Sequence, residues 1–259
     1  MHDYPDPASV HDLVQASPRR VRGELGGVTV FDTRAARYVW ETVKYPQYYV
    51  PLDDVSPGTL VDDDHLQHLR RGTARLHTVT AGGQSRPGAA RVYGDDARDG
   101  LAGTVRFDWD ALDAWYEEDE EVFVHPRNPY VRVDALRSRA HVQVRHGDLL
   151  LAESNSCVLV FETGLPTRYY LDRADVRADH LIPTDTLTAC PYKGRTSQYW
   201  SVRAGDDVLE DAAWTYTFPT TALAPISGLI AFYNDLVEIT VDGVVATRTD
   251  DLSRLRGTE

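Results

Sequence analysis

The segment Thr188-Ala189-Cys190-Pro191-Tyr192-Lys193-Gly194-Arg195-Thr196-Ser197-Gln198-Tyr199-Trp200 concentrates reactive and aromatic side chains. A thiol and an ammonium stand three residues apart, and Pro191 and Gly194 favour a turn that brings them together. In that arrangement the charge on Lys193 favours the thiolate of Cys190. Cys190 then serves as nucleophile or thiol contact, and Lys193 as anion anchor or proton donor. The plainer alternative makes Cys190 a small buried hydrophobe and Lys193 the partner of a carboxylate. Glu162, following an apolar run, is the obvious carboxylate. Paired with Lys193 it forms either an acid/base or anion-binding couple, or a structural bridge. Tyr169, Tyr170, Tyr199, Trp200, Trp214 and Tyr216 offer walls for a flat ligand, or ordinary core.

Other candidates carry less. Asp62, Asp63 and Asp64 with His65 and His68 form an acidic run that reads as solvated surface, so no metal site is expected. Cys157 and Cys190 lack CxxC spacing, which predicts free thiols rather than a disulfide or a zinc site. Ser154 and Ser156 lack the GxSxG elbow, and the chain contains neither a phosphate-binding Walker loop nor a dinucleotide fingerprint. No cofactor can be named.

The elements that must position these residues come from a duplication. Residues 17–55 lie over residues 138–176 without a gap: Trp40-Glu41-Thr42 on Phe161-Glu162-Thr163, Tyr48-Tyr49 on Tyr169-Tyr170, Asp54-Val55 on Asp175-Val176. A weaker block sets Trp115-Tyr116-Glu117 on Phe232-Tyr233-Asn234, and Val122-Phe123-Val124 on Ile239-Thr240-Val241. Glu41 and Tyr49 are thus first-repeat counterparts of Glu162 and Tyr170, whereas Cys190 and Lys193 have none. The predicted map is an N-terminal extension (1–16), a degenerate first repeat (17–124), a Pro-containing linker (125–137) and a second repeat with the full motif (138–259).

Short β-branched and aromatic runs bounded by Gly, Pro and Asp predict a mainly β chain. Hairpins are expected at His146-Gly147-Asp148 and Asp242-Gly243, and a tight turn at Gly26-Gly27. Helix is expected only at residues 8–15 and around 110–119, and residues 80–100, rich in Gly, Ala and Arg, read as a long mobile loop. The 259 residues are 42% hydrophobic with a formal charge of −13, and the arginines are scattered among acids, so nucleic acid is an improbable partner. No apolar run approaches the roughly 18 residues of a membrane span. No secretory pattern opens the chain, and a cytoplasmic location is expected.

The motifs RRVRGELGG, YVWETVKYPQYYVP, HPRNPYVRVD, VFETGLPTRYYL, TACPYKGRTSQYWSV, AWTYTFP and ISGLIAFYNDLVEITVDG resemble the bacterial domain of unknown function 427 family, in particular its tandem actinobacterial type. The resemblance covers nearly all of residues 17–245. It implies two compact antiparallel β domains similar to the β-tent group. The zinc of some β-tent members does not carry over, because their paired CxxC ligands are missing. The label nucleotidyltransferase-like finds no carboxylate and Gly-Ser constellation to support it. The positions matching the family pattern are Glu162, Tyr170, Cys190, Lys193, Gly194, Tyr199, Trp214, Tyr216 and Pro219, with Glu41 and Tyr49 in the first repeat. The functional expectation is a binding module whose C-terminal pocket takes a small flat or anionic metabolite. The alternatives are a small-molecule enzyme using Lys193 and Glu162 with Cys190 nearby, and a structural or oligomer-forming module.

Overall fold

The computed structural model describes residues 13–205 and 207–248. They form two compact units that divide between Asn128 and Pro129. The first contains β1 (Val14–Ala16), β2 (Val21–Leu25), β3 (Val28–Thr33), β4 (Arg37–Val39), β5 (Gln47–Pro51), β6 (Leu60–Leu69), β7 (Gly72–Ala81), β8 (Gln84–Tyr93), β9 (Thr104–Phe107), β10 (Ala114–Glu117) and β11 (Glu120–Val122). The second contains β12 (Val133–Ser138), β13 (Val142–His146), β14 (Leu149–Ser154), β15 (Cys157–Glu162), β16 (Arg168–Leu171), β17 (Leu181–Thr184), β18 (Ala189–Cys190), β19 (Gly194–Arg195), β20 (Gln198–Ala204), β21 (Asp207–Thr215), β22 (Ile230–Phe232), β23 (Glu238–Val241) and β24 (Val244–Val245).

Each unit pairs a seven-stranded with a four-stranded sheet. The orders are β1-β4-β5-β9-β8-β7-β6 with β11-β10-β2-β3, then β12-β15-β16-β22-β21-β20-β17 with β14-β13-β23-β24. Strand for strand these are the same plan, so the mainly β tandem architecture read from the sequence is what the chain forms. The likeness extends to single bonds. The register shift after Gly23 recurs after Val144. Thr33 Oγ1 donates to Asp54 Oδ2 as Ser154 Oγ donates to Asp175 Oδ2, and the bridge Phe31 to Val55 recurs as Ala152 to Val176.

The central strands of the larger sheet are buried on both faces, and the alternation of a strand decides which side chain goes where. In β15, Cys157 and Leu159 enter the core between the two sheets, while Val158 and Val160 join a second cluster on the outer face. In β16 the Tyr pair splits, with Tyr169 inward and Tyr170 outward. The first unit repeats this division with Tyr48 and Tyr49.

Several local expectations are corrected. Residues 80–93 do not form a loop, and only residues 94–100 are turns: β7 and β8 make a long hairpin about Gly82-Gly83, both at positive φ. Its buried positions are largely alanines (Ala74, Ala81, Ala89, Ala90), so bulky apolar residues trace no period. The helix expected near 110–119 is instead a 3-10 turn at Trp109–Ala111 followed by β10, where Trp115 and Glu117 are buried at the two-residue spacing of a strand. Of the helix expected at 8–15, residues 8–12 lie outside the described residues, and Val14–Ala16 pairs with β4 as a strand. The linker expected at 125–137 ends sooner, because β12 begins at Val133 and pairs with β15.

The second alignment block is out of register. Val50 pairs with Val105 as Leu171 pairs with Ile230, which sets Phe107 on Phe232. Gly23 pairs with Trp115 as Val144 pairs with Ile239, which sets Trp115 on Ile239. Both sheets demand large apolar residues there, so a slipped match of aromatic types looked acceptable.

The turn Gly26-Gly27 lies against the turn at Gly82: a Cβ on Gly82 would meet the Gly26 carbonyl oxygen at 2.3 Å, whereas one on Gly83 would meet nothing within 4 Å. Both residues have positive φ, so the steric cost of the left-handed region, about 1 to 2 kcal/mol, is common to both. Gly82→Ala is therefore expected to lower the urea midpoint by about twice as much as Gly83→Ala, or more; equal shifts would show that the two turns do not touch.

Candidate functional site

The outward face of the second unit's larger sheet closes over a cavity of about 310 Å³. Alternation delivers the lining: Val160 and Glu162 from β15, Arg168 and Tyr170 from β16, Tyr199 from β20, Trp214 from β21, and Tyr216 just beyond it. The CPYKG segment hangs over this face as a small hairpin. Cys190 pairs with Gly194 across Pro191-Tyr192-Lys193, and the hairpin is anchored by Thr196 N to Thr188 O (2.9 Å) and Thr220 N to Lys193 O (3.1 Å). Gly194 holds φ +96, which the tight return requires.

Inside, the buried Lys193 ammonium donates to Glu162 Oε2 and lies 3.9 Å from Cys190 Sγ. Burial is the largest single influence on Lys193 and pulls it towards the neutral amine, but the charge of Glu162, together with smaller contributions from Cys190, Tyr170 and the hydrogen bond to Glu162, outweighs it and holds the ammonium above its ordinary value. Behind the pair, burial pushes the Tyr170 phenol up to about 12 against the opposing pull of Lys193, and Trp214 Nε1 donates to its oxygen at 3.3 Å. Burial also raises Tyr199 and Tyr216. Trp214 lies against Tyr233 with centroids 4.3 Å apart, and the Arg168 guanidinium sits 5.4 Å from the Tyr233 centroid. Arg168 is fixed by Asn234 Oδ1 at 2.8 Å, and Tyr199, Tyr233 and Thr188 share a hydroxyl chain with 3.0 Å spacings.

Of the residues named from the sequence, Glu162, Tyr170, Cys190, Lys193, Tyr199, Trp214 and Tyr216 all line this cavity. Trp200 does not. Adjacent to Tyr199 on one strand it must face the other way, and it packs in the inter-sheet core beneath Arg173. Gly194 shapes the hairpin without lining the cavity, and Cys157 belongs to the inter-sheet core. Sequence reasoning missed Arg168, Thr188 and Tyr233. Arg168 was recoverable, since it lies two residues before Tyr170 and shares its face; Tyr233 was hidden by the slipped register.

In the first unit, Tyr49 Oη donates to Glu41 Oε1 at 2.9 Å and lies 3.1 Å from Tyr93 Oη, beside a cavity of about 340 Å³. The first repeat thus keeps a cleft on the same face. Asp62, Asp63 and Asp64 lie exposed along β6, and among the described residues no group of three or more His, Cys, Asp or Glu side chains is placed to hold a metal ion. No described helix is long and apolar enough to cross a membrane.

Residues 13–118 and residues 134–243 each match the family profile described as domain of unknown function (DUF427). The two matches cover most of the chain, and the protein belongs to that family as a tandem member. No curated protein matches it.

Removing one member of a buried ion pair strands the other, at a cost of about 3 to 5 kcal/mol. Lys193→Met is accordingly expected to destabilise the second unit by that order, and Lys193→Met with Glu162→Gln to recover most of the loss in a denaturant-based double-mutant cycle. Additive losses would mean that the pair is not coupled. The raised phenols predict alkaline sensitivity. Tyr170 favours its neutral form when folded, so its contribution is intact below the ordinary value of 10.0 and is lost as pH rises towards about 12. At about 1.4 kcal/mol per pH unit that is roughly 3 kcal/mol. Tyr170→Phe should shift the alkaline unfolding midpoint upward, read by circular dichroism.

Proposed function

We propose that the second repeat of this DUF427 protein is a binding module for a small, flat, anionic metabolite. The observation that carries this reading is the pairing, within one cavity, of an aromatic wall with a cationic end. Tyr199, Trp214, Tyr216 and Tyr233 supply planar surface, and Lys193 and Arg168 are the cations of the lining, with Lys193 held by Glu162 and Arg168 4.0 Å from Asp235, which stands outside the lining. A cavity of about 310 Å³ lies at the small end of the range for ligand sites, roughly 300 to 1,000 Å³. Glu162 fixes the ammonium in place, so orienting it adds little to the cost of binding.

The test is a thermal-shift panel of planar aromatic carboxylates, with nicotinate and anthranilate among the probes, followed by calorimetry. At a hundredfold excess over the dissociation constant a true ligand stabilises by about 2.7 kcal/mol. The gain should disappear in Trp214→Ala and in the Lys193→Met/Glu162→Gln double variant. A panel with no stabilising compound, or stabilisation untouched by both variants, would count against a pocket in this repeat.

Catalysis is the second reading, and the 3.9 Å approach of Lys193 Nζ to Cys190 Sγ favours it. Here Lys193 is the proton donor and Cys190 the group that contacts substrate. It predicts a chemically changed ligand, or an adduct on Cys190 found by intact-mass spectrometry; recovery of unaltered ligand and unmodified protein supports binding alone.

A further inference from the structure

The first repeat carries a second and larger cleft, of about 950 Å³, near the upper end of the range for ligand sites, roughly 300 to 1,000 Å³. Arg106 and Asp108 border both this cleft and the smaller one beside Tyr49. The frame is that of the second repeat. Arg91 pairs with Arg106 as Trp214 pairs with Ala231, and Gln47 stands where the ungapped match of the repeats puts Arg168. Two guanidiniums thus take the place of an indole and a methyl, and a neutral amide takes the place of a cation.

The charges here are matched within the protein. Asp108 Oδ1 accepts from Arg91 at 2.7 Å and from Arg106 as well, Arg106 also lies 3.4 Å from Glu41, and Arg86 lies 3.5 Å from Asp113. A bound anion would have to displace one of these carboxylates. What the cleft offers instead is flat surface and neutral hydrogen-bonding groups. Trp109 stacks on Trp115 with centroids 4.7 Å apart and planes at 7°, and Tyr45 stacks on His125 at 3.8 Å and 7°. Stacking fixes the planes of Trp109 and Tyr45, and both are half-buried and border the cleft. The Gln47 carboxamide, the Trp109 indole N–H and the Tyr45 hydroxyl make no hydrogen bond to another described residue, and the Asp110 carboxylate lies exposed beside them.

A sugar ring matches this lining in three respects. It carries no charge, each of its hydroxyls both donates and accepts, and its C–H face is apolar enough to lie on an aromatic ring. Two stacks in one cleft of this volume suit linked rings better than a single one.

We propose that this cleft of the first repeat binds a neutral oligosaccharide, with sugar rings laid on Trp109 and Tyr45 and their hydroxyls bonded to Gln47 and Asp110. This inference does not rest on the reading of the second repeat. The test is calorimetry of the full chain with cellohexaose, maltohexaose and chitohexaose in separate titrations, with adenine as the control, since it is flat but has no hydroxyls. One saturable site per chain is expected for at least one of the three sugars, with a change in tryptophan fluorescence. Trp109→Ala should weaken it about tenfold and Gln47→Ala about fivefold, the worth of a stacking contact and of a hydrogen bond. The Lys193→Met/Glu162→Gln double variant should leave it in place. Failure of all three sugars to bind overturns the proposal, whether or not adenine binds instead. Sugar binding untouched by both first-repeat variants, or lost only in the second-repeat variant, overturns it as well. Should Trp109→Ala fail to fold, Gln47→Ala carries the same comparison.

Discussion

A sheet buried on two faces imposes the constraint from which the rest of each repeat follows. Every residue of β5 or β16 must suit either the space between the sheets or the cleft on the outer side, because consecutive side chains point opposite ways. The adjacent tyrosines show the result: Tyr169 is inter-sheet core, and Tyr170, with its hydroxyl 3.3 Å from the Trp214 nitrogen, is the floor of the cavity. A slip of one residue would exchange the two sets and destroy both surfaces at once. Fold and cleft are thus specified by the same registers, which explains how the aromatic-Glu-Thr and Tyr-Tyr patterns stand in one frame in both repeats.

The Lys193 and Glu162 pair lives within that constraint. A buried ion pair adds little net stability over apolar residues of similar volume, because two charges must leave water. Its effect here is positional. It ties the tip of the CPYKG hairpin, which has no ladder bond to the large sheet, to the end of β15. A cavity wall made from a short hairpin would otherwise depend on the backbone bonds at Thr196 and Thr220 and on the hydroxyl bonds of Thr188, Thr196 and Thr220.

Much of this was legible in the sequence where residue types are distinctive. The ungapped match of residues 17–55 to 138–176 spans four strands of each copy, and in the structure those copies also share a bulge and a hydroxyl-to-aspartate bond. The CPYKG segment pointed to the ammonium, thiol and carboxylate that the fold brings together. Legibility failed where small residues do the packing. The alanines of β7 and β8 fill a close space without marking it, so a long hairpin read as a loop and the first repeat's arginines went unseen as a group. It failed also where two residues of one type sit on opposite faces. Trp200 and Tyr199 looked interchangeable, and only the strand direction separates them.

The matching of Arg91 to Trp214 and of Arg106 to Ala231 has a consequence for how such a chain can change over time. These side chains stand on paired strands whose inward neighbours hold the core, and Arg91, Arg106 and Trp214 border the clefts while Ala231 packs in the outer cluster. Exchanging an indole for a guanidinium there alters the chemistry of the cleft without asking the core to repack. A duplicated domain built this way can let its halves diverge in what they attract while the scaffold stays under one set of rules. Selectivity and foldability are then inherited through different residues of the same strands.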